Sequence, residues 1–254
     1  MKETLKSHGL LLYGNSFVNN FVFERPFALW GGCKVQNCVG GGYSYINANS
    51  VLENTIIGRY SCMAHNVTIG ALRHDSTSVA MTSVKVFVDE GVGATCEPIA
   101  EPFELHDIRH DIRPQQTIIA NGVWVGANAF FPAAHELSVG NGAIIAACAV
   151  VTKPVPAYAV VAGNPAKVVK MRFKGEIIAD LESSKWWEYD WPLATARLGI
   201  KAPFSDAKNF CAWWADGGAE LLAPFRLEAK LARIRQDENG AFLDRLNYNF
   251  DNIF

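Results

Sequence analysis

No CxxC pair occurs among the six cysteines, which are scattered along the chain. Their spacing excludes the common zinc-ribbon and dithiol motifs and makes a reduced, cytoplasmic compartment the default expectation. No apolar run approaches the ~20 residues needed to span a bilayer. The stretch MKETLKSHGLLLYGNSF is too short and too interrupted in its apolar part to read as a secretory signal. Charge of one sign is also missing: Lys and Arg number 23 and Asp and Glu 25, for a net charge of −2. A broadly cationic nucleic-acid binder is thereby excluded, although a local anion site is not. What the chain does have is apolar mass, 50% of its residues. At this length that suffices for one large core with an appendage.

Across residues 119–170 the apolar positions follow neither the helical nor the strand period. They recur at Ile119, Val125 and Phe131, and again at Val139, Ile145 and Val151. Small residues or proline follow them at Ala120, Gly126, Pro132, Gly140 and Ala146. The same six-residue step runs through Cys33, Val39, Tyr45, Val51, Ile57, Met63 and Ile69. A fixed short period marks a solenoid, in which each turn buries its face against the next. Each hexad supplies a short strand and a bend, and such strands stack about 4.8 Å apart. The first position points inward, and the small residue after it tolerates the bend. A β-sandwich would space its turns roughly 8–12 residues apart, with two-fold alternation inside each strand. The expected fold is therefore an all-β solenoid, a triangular parallel β-helix built from both tracts.

Particular segments narrow this reading. VWVGANA, VVTKPVP, VVAGNPAKVVKMRF, GGYSYINANSVLENTIIGRYSCMAHNVTIG, the Arg73-His74-Asp75 exit and KWWEYDW resemble the hexapeptide-repeat acyltransferases. The likeness is greatest to the xenobiotic (chloramphenicol and streptogramin type) acetyltransferases and their polysaccharide O-acetyltransferase relatives. It implies a left-handed parallel β-helix, a hand that spacing does not set and that runs against the usual crossover preference. The implied layout is an N-terminal cap at 1–32, a β-helix acyltransferase domain at 33–172 with an inserted loop at 71–116, and a C-terminal α-helical extension at 173–254. The implied chemistry is direct transfer of acetyl from acetyl-CoA to a hydroxyl of a saccharide or antibiotic-like molecule. The implied assembly is a homotrimer whose sites lie between adjacent prisms. An amino-sugar N-acetyltransferase is the near alternative.

The same resemblance assigns roles to residues. His74 follows Ile69-Gly70, where the rhythm ends, and occupies the place of the family's catalytic base. A thioester is already activated, so the acceptor hydroxyl needs only to lose its proton, and imidazole titrates in the right range. Asp75 is a candidate to orient the ring. Between Leu137 and Gly175 there is no Asp or Glu, while Lys153, Lys167, Lys170, Arg172 and Lys174 all occur. A one-signed strip suits the phosphates of coenzyme A; standing alone it would equally suit a solvated edge. Carried over from the family, the pantetheine contacts fall at Ala127, Ala147, Thr152 and Lys153, and the phosphate contacts at Lys167 and Lys170. Relatives often have Gly or Ser where this chain has Ala127 and Cys148. Tyr43 and Asn47, on the coil before His74, are the acceptor-side candidates. Tyr45 falls in the inward phase, and Trp124 reads as a packed corner aromatic.

The remaining features invite plainer readings. His65 sits at a solvent-facing position inside a hexad. His106 and His110, in HDIRHDIR, have a spacing that would suit a metal on a helix, but a charged run of this kind is more often a solvated face. No metal is expected. His135, in AAHELS, belongs to a stretch two residues longer than the hexad allows. Residues 17–30, FVNNFVFERPFALW, suggest a leading strand that covers the first coil, because an open solenoid end exposes unpaired strand edges. Beyond Phe173 a helix with Ile177, Ile178, Leu181 and Trp186 on one face is expected, then an amphipathic LEAKLARIRQ and the aromatic ending NYNFDNIF. Two other classes remain open. A γ-carbonic-anhydrase-like zinc enzyme needs three histidines, and the H-x4-H spacing of that fold is absent; a non-catalytic scaffold would not bind acetyl-CoA.

Overall fold

A computed structural model describes residues 2–71, 116–133, 136–201, 203–228, 230–237 and 240–246. His74, Asp75, the HDIRHDIR tract, His135 and the NYNFDNIF ending lie outside the described residues.

Short parallel strands stack into three flanks. The first runs Leu10–Leu12, Phe27–Leu29, Ser44–Ile46, Cys62–Met63, Trp124–Val125, Ile144–Ile145 and Ala159–Ala162. The second uses the leading halves of Phe17–Glu24 and Lys34–Gly40, then Val51–Glu53, Thr68–Ala71 and Phe130–Pro132. The third uses their trailing halves, then Thr55–Ile57, Thr117–Ile119 and Leu137–Val139. Parallel pairing begins where Leu10 meets Phe27, so the boundary expected at residue 33 falls inside the wall.

Lys34 pairs with Val51 and Val51 with Thr68, a step of seventeen residues per coil. Each early coil is thus two hexads and a pentad. The pentad slips the phase by one residue, and this corrects part of the inward list. Ile57, Met63 and Ile69 are buried, but Val39 and Val51 are half-buried and Tyr45 is 40% exposed. One position on, Gly40, Ile46 and Leu52 are buried in their place. In the later tract Ile119, Val125, Phe131, Val139, Ile145 and Val151 are all buried, as the rhythm predicts.

The corners turn through left-handed backbone. Asn20, Asn37 and Asn54 do so at one corner, and Asn49, Asn66, Asn128 and Cys148 at another. Asn is the non-glycine residue that visits this region most readily, and the stacked amides bond to each other: Asn20 Nδ2 donates to Asn37 Oδ1 at 2.9 Å and Asn66 Nδ2 to Asn128 Oδ1 at 3.1 Å. The third corner carries Tyr43, Tyr60, Gly122, Gly142 and Tyr158 in the same conformation. Gly122 is required there on two grounds: its φ is +63°, and a Cβ would lie 2.7 Å from the Trp186 ring.

A polar chain runs up the third corner. Arg59 Nε and Nη2 donate to Glu24 at 2.7 and 2.9 Å, and Gly42 N adds a third bond to Glu24 at 2.8 Å. Arg59 N donates to Asn121 Oδ1, Asn121 bonds Asn141, and Asn141 Nδ2 reaches Glu182 at 3.2 Å. The Glu24 and Arg59 side chains are 1% and 3% exposed.

The coils also need covers at both ends. Lys167–Met171 pairs antiparallel with Ala159–Ala162 and closes the last edge. At the other end the C-terminal chain returns. Leu231–Asp237 pairs antiparallel with residues 21–24, Gly240–Leu246 completes a hairpin, and Ala232 and Ile234 enter the solenoid core. LEAKLARIRQ is therefore not a helix over its second half, and the extension is not wholly helical. The helix Lys2–Ser7 sets Leu5 into the same core. Between the two covers, helices Gly175–Ser184, Trp191–Leu198 and Ala207–Trp213 build a second cluster around Leu181, Trp191, Phe210 and Leu222, docked against Tyr158. Among the described residues no helix is long and apolar enough to cross a membrane.

Removing one member of a buried, bonded ion pair strands the other. Glu24→Ala is expected to lower unfolding free energy by about 3–5 kcal/mol, read from urea denaturation; a loss below about 1 kcal/mol, the scale of an exposed pair, would contradict this role.

Candidate functional site

The corner between the first and second flanks is floored by small residues. Asn47, Ala64, Gly126 and Ala146 follow the in-register residues Ile46, Met63, Val125 and Ile145. One residue further on come Ala48, His65, Ala127 and Ala147, joined by Asn66 N to Ala48 O, Asn128 N to His65 O and Cys148 N to Ala127 O. The absence of bulk is structural: a Cβ on Gly126 would sit 2.5 Å from Ala147 N. The result is a narrow strip along the corner with little side-chain bulk over the main chain, His65 apart.

The structure brings some of the sequence candidates together here. Ala127 and Ala147 occupy adjacent coils of this corner, with Ala147 exposed. Lys167 pairs with Ala162 at the same end of the first flank. Lys170 pairs with Val160, further along that flank. Thr152 and Lys153 follow Val151 and lie at the far end of the second flank, at the next corner. Lys153, Lys167 and Lys170 are exposed and form no ion pair among the described residues. Asn47 stands on the small-residue corner, its Oδ1 accepting from Ala48 N at 2.8 Å and its carbonyl from the Cys33 thiol at 3.2 Å.

Tyr43 is elsewhere. It lies at the third corner, stacked on Tyr60 with centroids 5.0 Å apart, and donates to Asp190 Oδ1 at 2.7 Å. Tyr60 in turn donates to Tyr189 O at 2.6 Å. The two tyrosines bind the helical appendage to the wall and do not face the small-residue groove. Trp124 is not at a corner: it sits mid-flank and is 46% exposed. His65, read as merely solvent-facing, is exposed but stands in the groove column between Ala48 and Ala127. Sequence reasoning also missed the cluster of Tyr13, Trp30 and Tyr45, with ring centroids 5.0 and 5.4 Å apart, beside the first coils of this corner. The seventeen-residue step from 13 to 30 was the available signal.

His74 and His135 lie outside the described residues, but their anchors do not. The described wall stops at Ala71 and again at Ala133, and Ala133 N donates to Ala71 O at 3.0 Å. Both stopping points therefore share one corner, at the far end of the second flank from Ala127. Among the described residues no group of three or more His, Cys, Asp or Glu is arranged to hold a metal ion.

Comparison with known proteins finds relatives of the chain and of its fold. No protein-family model matches the chain. A probable macrolide acetyltransferase of Lysinibacillus sphaericus is 30% identical over 139 residues, which cover 54% of this chain and 71% of that protein. A chloramphenicol acetyltransferase of Agrobacterium fabrum is 42% identical over 96 residues, or 38% of this chain and 43% of that protein. The match thus spans less than half the length of the chloramphenicol enzyme. Among solved structures, a variant of AntD, an N-acyltransferase from Bacillus cereus in complex with dTDP-4-amino-4,6-dideoxyglucose and coenzyme A, superposes with a TM-score of 0.51 at 16% identity. It covers 73% of this chain and 97% of that one, and shows the fold. The chain belongs to the hexapeptide-repeat acyltransferases of the left-handed β-helix type.

Burial raises the phenol pKa of Tyr60 and of Tyr43, where the Asp190 bond adds to the effect, and pushes Tyr158 up to about 12. An unfolded phenol ionises near 10.0, so above that pH the unfolded chain holds fewer protons than the folded one. The stability these tyrosines contribute is complete below that pH and is lost as pH rises through the folded pKa. Tyr158 gives up only a 3.4 Å bond from Trp186 Nε1 when its hydroxyl is removed. Tyr158→Phe is expected to flatten the fall in urea midpoint between pH 10.0 and about 12, the interval separating the unfolded from the folded phenol. An unchanged slope would contradict the burial.

Proposed function

We propose that the protein is an acetyl-CoA-dependent O-acetyltransferase that transfers acetyl directly to a hydroxyl of a saccharide or small-molecule acceptor. One observation carries the reading: the small-residue corner at Ala127 and Ala147 ends beside Lys167, in a stretch free of acidic residues from 138 to 174. A pantetheine arm can lie against exposed main chain there, with its phosphates towards Lys167 and Lys170. Thr152 and Lys153 meet the donor from the neighbouring corner. Asn47 contacts the acceptor side. Five free cysteines among the described residues support a reducing, cytoplasmic setting.

His74 acts as general base. Its imidazole takes the proton of the acceptor hydroxyl as the oxygen attacks the thioester carbonyl, forming a tetrahedral oxyanion. Collapse breaks the carbon–sulfur bond, and the proton passes from imidazolium to the departing thiolate, giving the acetyl ester and free coenzyme A. The named relatives support a xenobiotic acceptor as the second reading.

The assembly we infer is a homotrimer, and the first flank supports it. Leu11, Ala28, Tyr45, Cys62, Trp124, Ile144 and Val160 pair in one unbroken outward-facing register. A continuous apolar ladder along one flank, with Tyr45 and Trp124 exposed, suits a contact between subunits.

His74→Ala is expected to keep acetyl-CoA affinity while thiol release falls ~10²–10⁴-fold, the usual range for a positioned base. Unchanged turnover would remove the mechanism. Sedimentation equilibrium should show a trimer for the intact chain and dissociation for Trp124→Arg; a variant that stays trimeric would show that this flank is not the interface.

A further inference from the structure

A second site lies at the other end of the solenoid, on the first coils. A cleft of about 650 Å³ opens where the helix Lys2–Ser7, the wall at Arg25, Pro26 and Tyr43, and the segment 224–230 meet. Its floor is fixed: Tyr43 N donates to Pro26 O at 2.7 Å, and the Tyr43 hydroxyl is held by Asp190. Asp190 also accepts from Leu193 N at 3.0 Å, so both of its known bonds are to neutral donors.

Cations from three separate segments line this space: Lys6, Arg25, Arg226 and Lys230, against the acids Asp190 and Glu228. Arg226 is already occupied, paired with Glu188 and lying over the Tyr189 ring. Lys6, Arg25 and Lys230 have no carboxylate partner among the described residues. Arg25 is the telling member. Its stem crosses Gly9, where a Cβ would meet Arg25 Cβ at 2.8 Å, and its Nε, closed to solvent, has no hydrogen-bond partner among the described residues. Arg25 therefore brings to the cleft a donor-only guanidinium that no described carboxylate neutralises.

We propose that this cleft binds a small phosphate-bearing ligand, in the size range of a sugar phosphate, with Arg25 donating to a phosphate oxygen and Lys6 and Lys230 flanking it. A planar guanidinium with two mobile ammonium groups matches a multiply charged anion with several oxygens better than it matches a single carboxylate. The site is separate from the proposed donor groove, which lies on later coils at another corner, and it stands whether or not acetyl transfer is the activity.

The probe is inorganic pyrophosphate, titrated into the intact chain by calorimetry at constant ionic strength. Saturable binding at one site per chain is expected, weakened roughly tenfold or more by Arg25→Gln and by Lys6→Glu with Lys230→Glu. The two lysines are exposed, so that double variant keeps the test alive if Arg25→Gln folds poorly. Lys167→Glu with Lys170→Glu should leave pyrophosphate binding unchanged. No saturable binding, or binding untouched by Lys6→Glu with Lys230→Glu, overturns the proposal. So does binding lost only in the Lys167 and Lys170 variant, which would place the anion in the donor groove.

Discussion

A coil of this wall has nothing to bury its inward side chains against except the coils on either side of it. Everything else depends on keeping successive coils in register through three bends. The bends are therefore where the sequence is most constrained. Asparagine, glycine or tyrosine, or in one case Cys148, adopts left-handed backbone at each one, and the asparagines and tyrosines stack on their own kind. The corners differ in what they leave exposed. One is sealed by the Glu24–Arg59 chain and the helical appendage, one carries Ala71 and Ala133, and one is lined by small residues. The division of labour among them places the candidate groove.

Legibility in the sequence followed the regularity of the coils. Over residues 119–151 the inward residues Ile119, Val125 and Phe131 were readable directly, because the six-residue step is kept within each run. Over residues 33–69 the same step misassigned Val39, Tyr45 and Val51, because each coil there contains a pentad and the phase slips by one. LEAKLARIRQ has apolar residues at Leu227, Leu231 and Ile234, spacing that suits one face of a helix. The free edge of residues 21–24 wins instead, since an unpaired edge strand loses more than local preference can return. The cover that the C-terminal hairpin adds to the first coils was not legible for the same reason: which segment covers an edge is a tertiary fact.

The site was legible in composition and not in placement. Small residues at Ala127 and Ala147 and the acid-free basic strip were visible by eye, and the fold sets Lys167 beside them. Tyr43 and Asn47 looked equivalent because they share a coil, yet four residues carry the chain across the first flank from one corner to another. Tyr43 ends under Asp190, and Asn47 ends in the groove. The basic cleft at Arg25 left no trace in the sequence, since its lining comes from residues near 6, 25, 190 and 230, brought together only when the C-terminal chain returns to the first coil.

The central claim is that the open, small-residue corner is the donor groove. A structure of the protein with coenzyme A bound tests it most directly. The account predicts the pantetheine lying along the corner at Ala127 and Ala147, with the phosphates towards Lys167 and Lys170. Coenzyme A lodged at another corner, or refused altogether, would contradict it.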